Sequence, residues 1–123
     1  MILVDTSVWI DHFRGEEPLL VALLGSGEVL THPFVIGELA CGNLRNRREI
    51  LGQLRRLPSA PHATDDEVLG FIERRMLMGR GIGYVDAHLL ASGALAPDCR
   101  LWTRDVRLTT VARSIGLDMG ESE

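Results

Sequence analysis

A chain of 123 residues is the length of one domain, large enough to bury a core without disulfides or structural metals. Its 46% hydrophobic and 24% charged content excludes a disordered or fibrous chain. With 13 basic against 17 acidic residues, the net charge of −4 argues against nucleic-acid binding by bulk charge alone.

The chain opens on an apolar stretch, Ile2-Leu3-Val4, which predicts a strand ending at Asp5. Helical spacing follows over 6–13 and 17–24, then a strand over 29–31. A helical pair is expected from Pro33 to about Arg56, with Arg45 and Glu49 spaced as an i,i+4 ion pair. After a turn rich in Pro and Ala, residues 64–78 have helical spacing, with Thr64 and Asp65 as candidate N-caps and a Gly-rich link over 79–83. The remaining pattern is helix over 85–95, strand over 100–103, helix over 106–115 closed by Gly116, and a short final strand over 117–119. Short apolar strands alternating with helices predict an α/β fold whose parallel sheet is covered on both faces. One domain over 1–119 and a C-terminal tail over 120–123 account for the whole pattern.

Four carboxylates, Asp5, Glu38, Asp86 and Asp105, each stand just after or a few residues beyond a short apolar stretch. In open α/β sheets ligands collect outside the carboxyl ends of parallel strands, so acids placed there can converge on one crevice. Taken singly, Asp5 and Asp105 suit a helix N-cap as well as a metal site. Glu38 on its helix points back toward the strand ends. Asp86 begins an otherwise apolar helix, where a buried carboxylate needs a partner. Together the four need a cation, because like charges at close range do not all ionise unneutralised. An all-oxygen set suits Mg²⁺ or Mn²⁺. Zinc is disfavoured, since His12, His32, His62 and His88 lack ligand spacing. His88 lies on a different face of its helix from Asp86 and reads as packing. Cys41 and Cys99 also lack ligand spacing and read as free thiols.

All 13 bases are arginine. Lacking lysine, the chain has no P-loop, Schiff-base or receiver-domain lysine. A phosphotransferase with a nucleophilic aspartate would want a second acid two residues after Asp5, where Ser7 stands, and a later lysine. The run Asp5-Thr6-Ser7-Val8-Trp9-Ile10-Asp11, then Glu38, Asp86-Ala87-His88-Leu89-Leu90-Ala91 and Thr103-Arg104-Asp105, resembles the PIN-domain ribonucleases, the VapC toxins of VapBC toxin–antitoxin systems above all. The likeness covers the whole chain. It implies a three-layer α/β/α PIN-like fold with a central, mostly parallel sheet, a homodimer, and RNA cleavage dependent on Mg²⁺ (or Mn²⁺). It also implies inhibition by a cognate VapB-like antitoxin.

Under the same resemblance Asp5, Glu38, Asp86 and Asp105 form the catalytic and metal-binding quartet, with Ser7 and Thr103 as hydroxyls beside it. Some relatives carry another acid at the position of Arg107, which puts a second metal site in doubt here. Asp5 and Asp86 are expected on the principal ion, with Glu38 and Asp105 acting through waters or on a second ion. In-line hydrolysis would leave a 5′-phosphate and a 3′-hydroxyl. The expected substrate is a structured RNA such as tRNA or a ribosomal RNA loop, contacted through a few arginines. An antitoxin groove is expected among the early helices, around Trp9, Ile10, Phe13, Leu19, Leu20 and Leu23. A cytoplasmic location is the expectation for a start with no basic leader region and no apolar run long enough to span a membrane. The rival reading is a non-catalytic PIN-like RNA-binding or scaffold protein, which loss of an acid would mark.

Overall fold

The computed structural model describes residues 1–120, so Glu121, Ser122 and Glu123 of the expected tail lie outside the described residues. Three parallel strands form the sheet: β1 (Ile2–Val4), β2 (Val29–Leu30) and β3 (Arg100–Trp102), in the order β2-β1-β3. Ile2 pairs with Val29 on one side and Arg100 on the other, and Val4 pairs with Trp102. Single parallel bridges widen both edges, Thr31 to Ser59 and Leu101 to Asp118. Helices α1 (Thr6–Arg14) and α2 (Pro18–Gly25) connect β1 to β2. The crossover from β2 to β3 carries α3 (Pro33–Ala40), α4 (Arg47–Arg56), α5 (Asp65–Arg75) and α6 (Tyr84–Leu95), and α7 (Val106–Ser114) follows β3. The chain moves from β1 to β2 in one direction and from β2 across β1 to β3 in the other. Right-handed crossovers then set the two connections on opposite faces of the sheet, giving the α/β/α layering.

The core explains why these strands read as continuous apolar runs. Leu3, Val4, Val29 and Leu101 are buried on the sheet, with Val8, Leu20, Val35, Leu89, Leu90, Leu108 and Val111 closing over them from the helices. Strands covered on both faces have no polar alternation to display. No helix among the described residues is long and apolar enough to cross a membrane. Cys41 and Cys99 are free thiols, the first exposed and the second buried.

Several boundaries differ from the sequence expectation for local reasons. Thr64 is the N-cap of α5 and forms a reciprocal capping box with Glu67, while Asp65 turns to Tyr84 and His88 instead. The same helix stops at Arg75 rather than Met78, because Met76 adopts a left-handed conformation with φ of 55° and its N–H closes on Glu73 and Ile72. The expected strand over 117–119 is reduced to the bridge at Asp118, held by Leu101 N–H to Leu117 O and Met119 N–H to Leu101 O. Arg45 precedes α4, so it cannot form the expected helical pair with Glu49, and among the described residues no such pair exists. A turn over 41–46 separates α3 from α4, with Arg47 donating to the carbonyls of Ala40 and Gly42.

Candidate functional site

Asp5 follows β1 directly and is only 7% exposed, so its charge depends on local donors. Its Oδ2 accepts from the Ser7 hydroxyl at 2.7 Å, the Thr103 hydroxyl at 2.9 Å and, more loosely, the Ser7 N–H at 3.4 Å. Asp5 N–H in turn donates to Trp102 O at 2.9 Å, which ties the end of β1 to the end of β3. Ser7 Oγ also accepts from Arg104 N–H at 3.0 Å, and Thr103 Oγ1 accepts from Asp105 N–H at 3.1 Å. The two hydroxyls therefore lace the strand ends together around one carboxylate oxygen and leave Oδ1 without a protein donor among the described residues. Ser7 and Thr103 stand where the sequence reading placed them, beside the first acid.

Asp105 is the N-cap of α7, and its Oδ1 accepts from Leu108 N–H at 2.9 Å. Asp86 lies at the third position of α6, with Oδ2 accepting from Gly83 N–H at 3.0 Å. Glu38 projects from α3, its Oε1 accepting from the Thr6 hydroxyl at 2.7 Å. Thr6 was not singled out from sequence, although a hydroxyl directly after a strand-ending aspartate is a legible signal. Each acid has local donors, yet the set is electrostatically one. Burial pushes the Asp86 carboxyl above the usual carboxylate range, the Gly83 N–H opposes this, and the charges of Asp5, Asp105 and Glu38 push it up further. Among the described residues none of the four pairs with an arginine.

Arg104, next to Asp105, is occupied elsewhere. It pairs with Asp11 at 3.2 Å, also pairs with Glu17 and lies over the Trp102 ring at 5.5 Å, locking the turn after β3 onto α1 and the start of α2. His88 is buried between Phe34 and Tyr84, with ring centroids at 4.6 Å and 4.7 Å, and its Nε2 is 3.2 Å from Asp65 Oδ1. It packs, as its helix face suggests, and does not join the acids. His32 is also buried. Its Nδ1 accepts from Phe34 N–H at 3.0 Å as the cap of α3, so its proton sits on Nε2, which is 3.1 Å from Ser92 Oγ.

Among the described residues no three side chains of His, Cys, Asp or Glu form a ready-made metal cage. A small hard ion does not need one, since Mg²⁺ keeps several waters and takes one or two carboxylates directly. Four carboxylates with no arginine paired to them, one raised above its usual range by burial first and by the other three charges after that, fit a divalent ion of that kind. Beyond Glu38 opens a groove of about 890 Å³ between α1, α3 and α4, lined by Ile10, Phe13, Leu44 and Ile50 with Arg14 and Arg45. A smaller apolar pocket of about 200 Å³ adjoins it at Trp9, His12, Phe13, Leu24, Leu54 and Leu57. Of the six apolar residues expected around a groove, Trp9, Ile10 and Phe13 line these cavities, Leu20 is fully buried core, and Leu19 and Leu23 are half-buried.

The PIN domain family model matches residues 2–114. The chain belongs to the PIN-domain family. It is 50% identical over 121 residues to Ribonuclease VapC32 of Mycobacterium tuberculosis strain CDC 1551 / Oshkosh, covering 98% of each chain. The same figures hold against Ribonuclease VapC32 of strain ATCC 25618 / H37Rv. The family-model match runs from β1 to the end of α7 and hence includes all four acids.

Proposed function

We propose that this PIN-domain protein is a divalent-metal-dependent endoribonuclease, the toxin of a toxin–antitoxin pair, acting in the cytoplasm. The observation that carries the reading is the gathering of four carboxylates from the ends of β1 and β3, the last turn of α3 and the start of α6, with no arginine paired to any of them among the described residues. Half identity along nearly the full length to proteins named as VapC ribonucleases supports it.

Asp5 and Asp86 would hold Mg²⁺ or Mn²⁺, with Glu38 and Asp105 reaching it through water. The bound ion supplies positive charge for the phosphoryl oxygens and acidifies a water. The Ser7 and Thr103 hydroxyls fix Asp5 Oδ2, so that Oδ1 faces the crevice in one orientation. Thr6 holds one oxygen of Glu38, leaving the other to orient the attacking water and accept its proton. The new P–O bond forms as the bond to the 3′ oxygen breaks in line, leaving a 5′-phosphate and a 3′-hydroxyl. The groove beside Glu38 suits an antitoxin segment that seats apolar side chains against Phe13 and Ile50 and an arginine against the acids. A structured tRNA or ribosomal RNA loop is the substrate class, and a homodimer the assembly.

The test is cleavage of total tRNA and ribosomal RNA by purified protein with Mg²⁺ or Mn²⁺, against EDTA and the variants Asp5→Asn and Asp86→Asn. Discrete metal-dependent cuts, lost in both variants while their circular dichroism stays native, are expected. Asn variants that cut as fast as the wild type would refute the reading.

A further inference from the structure

The geometry points to Arg107 as a substrate-positioning residue that grips an RNA phosphate neighbouring the scissile one, an assignment that rests on the ribonuclease reading above. Arg107 lies in the first turn of α7, two residues past Asp105, and is exposed. Its side chain crosses the Gly-rich loop ahead of Asp86. A Cβ added at Gly81 would stand 2.7 Å from Arg107 Cδ, 3.1 Å from Nη1 and 3.2 Å from Nε. The guanidinium thus rests on bare backbone at a glycine whose φ of +81° also favours having no side chain. The two segments joined by this contact each carry an acid of the site, Asp105 on one and Asp86 on the other.

Among the described residues the charge of Arg107 is unspent: it pairs with no carboxylate, whereas Arg104 pairs with Asp11 and Glu17, Arg113 pairs with Asp118, and Arg80 donates to Ser114. An RNA strand approaching four carboxylates is repelled until cations meet its phosphates on either side. Arg14 and Arg45 line the groove on the Glu38 side. Arg107, two residues beyond Asp105, supplies the cation on the other side. A planar guanidinium presents paired donors to a phosphate, and with its stem already laid on Gly81 it loses less side-chain freedom on binding than a free arginine. An ordinary surface arginine would be expected to pair with an acid or extend into solvent. Lying flat across a glycine between the segments that carry Asp86 and Asp105, unpaired among the described residues, is the arrangement of a residue kept available.

The variants Arg107→Gln and Arg107→Lys separate this role from a mechanical strap over the loop. Cleavage of total cellular RNA is measured in the otherwise wild-type protein. Binding of a short fluorescein-labelled single-stranded oligoribonucleotide, as a function of salt with Mg²⁺ present, is measured in the Asp5→Asn background. For Arg107→Gln, kcat/KM falls roughly 10-fold, mainly through KM. The slope of log affinity against log salt shrinks by about 0.7, the value for one phosphate contact on a single strand. Arg107→Lys keeps the slope, and neither variant changes the unfolding temperature. An unchanged slope in Arg107→Gln, or a lower kcat at constant KM with a lower unfolding temperature, would make the residue a strap and overturn the assignment. A wild-type protein that cuts no RNA would instead sink the ribonuclease reading itself.

Discussion

Acid should destabilise this protein through one identifiable histidine. His32 is 2% exposed, caps α3 through Nδ1, and is held neutral, its pKa lowered from 6.5 to about 4 by burial first and then by the neighbouring charges of His62 and His88. A base whose folded pKa lies below its unfolded value contributes no penalty above pH 6.5. Below that pH the unfolded chain binds a proton that the folded one refuses. At 1.36 kcal/mol per pH unit the loss is about 2 kcal/mol at pH 5 and roughly 3 kcal/mol by pH 4, where it levels off. A proton on Nδ1 would also face the Phe34 N–H that it now accepts, uncapping the helix that carries Glu38. His32→Asn retains a capping acceptor and cannot titrate, but loses the bond to Ser92 and part of the ring's packing, at about 1–2 kcal/mol near pH 7.5. Urea unfolding followed by the fluorescence of Trp9 and Trp102 should show the wild type more stable at pH 7.5 and the difference closed or reversed at pH 5. The remaining titrating groups are common to both proteins and cancel. Stabilities that run parallel between those pH values would refute the claim that His32 is buried neutral.

Ser7→Ala removes a hydroxyl that donates to Asp5 and accepts from Arg104 N–H. It should weaken Mg²⁺-dependent activity about 10- to 100-fold with a raised Mg²⁺ requirement, as expected for a residue that orients a ligand. Full activity at limiting Mg²⁺ would show that Asp5 needs no such support. Trp9 Nε1 is buried without a partner among the described residues. Trp9→Phe deletes that donor together with part of a buried ring, so the unfolding free energy should fall by about 1–2 kcal/mol from lost packing alone, whereas a loss above ~4 kcal/mol would reveal a bond to the indole. Gln53, an exposed residue on the wall of the apolar pocket, becomes an occluding side chain in Gln53→Trp. Inhibition by the cognate antitoxin, titrated against cleavage, should then weaken at least ~10-fold. Undiminished inhibition would move the antitoxin away from this pocket.

Much of where the candidate site's side chains sit was legible before any coordinates. Asp5, Asp86 and Asp105 could be placed because a strand end, a helix cap and a Gly-rich entry are local patterns, and local patterns determine where a side chain sits along its own element. Glu38 followed from the lean of helical side chains toward the helix start. Thr64 as the cap of α5 was similarly local, since a Thr followed three residues later by Glu closes on itself. The stop of the same helix at Arg75 was not legible, because a left-handed Met76 carries no glycine to announce it.

The sequence by itself determined the order of elements, the apolar strands that need cover on both faces, and the supply of four acids with arginine as the sole basic residue type. Tertiary structure alone decided what those acids touch. Thr103 reaches Asp5 across 98 positions of chain, Thr6 reaches Glu38 across 32, and His32 meets Ser92 across 60. The arginine laid on Gly81 and the single bridge that replaces a final strand are likewise products of packing. Propensity and periodicity act over a few residues, whereas a charge is set by whatever lies within a few ångströms in space. Until the chain brings distant segments together, a carboxylate's partners, and with them its chemistry, do not exist.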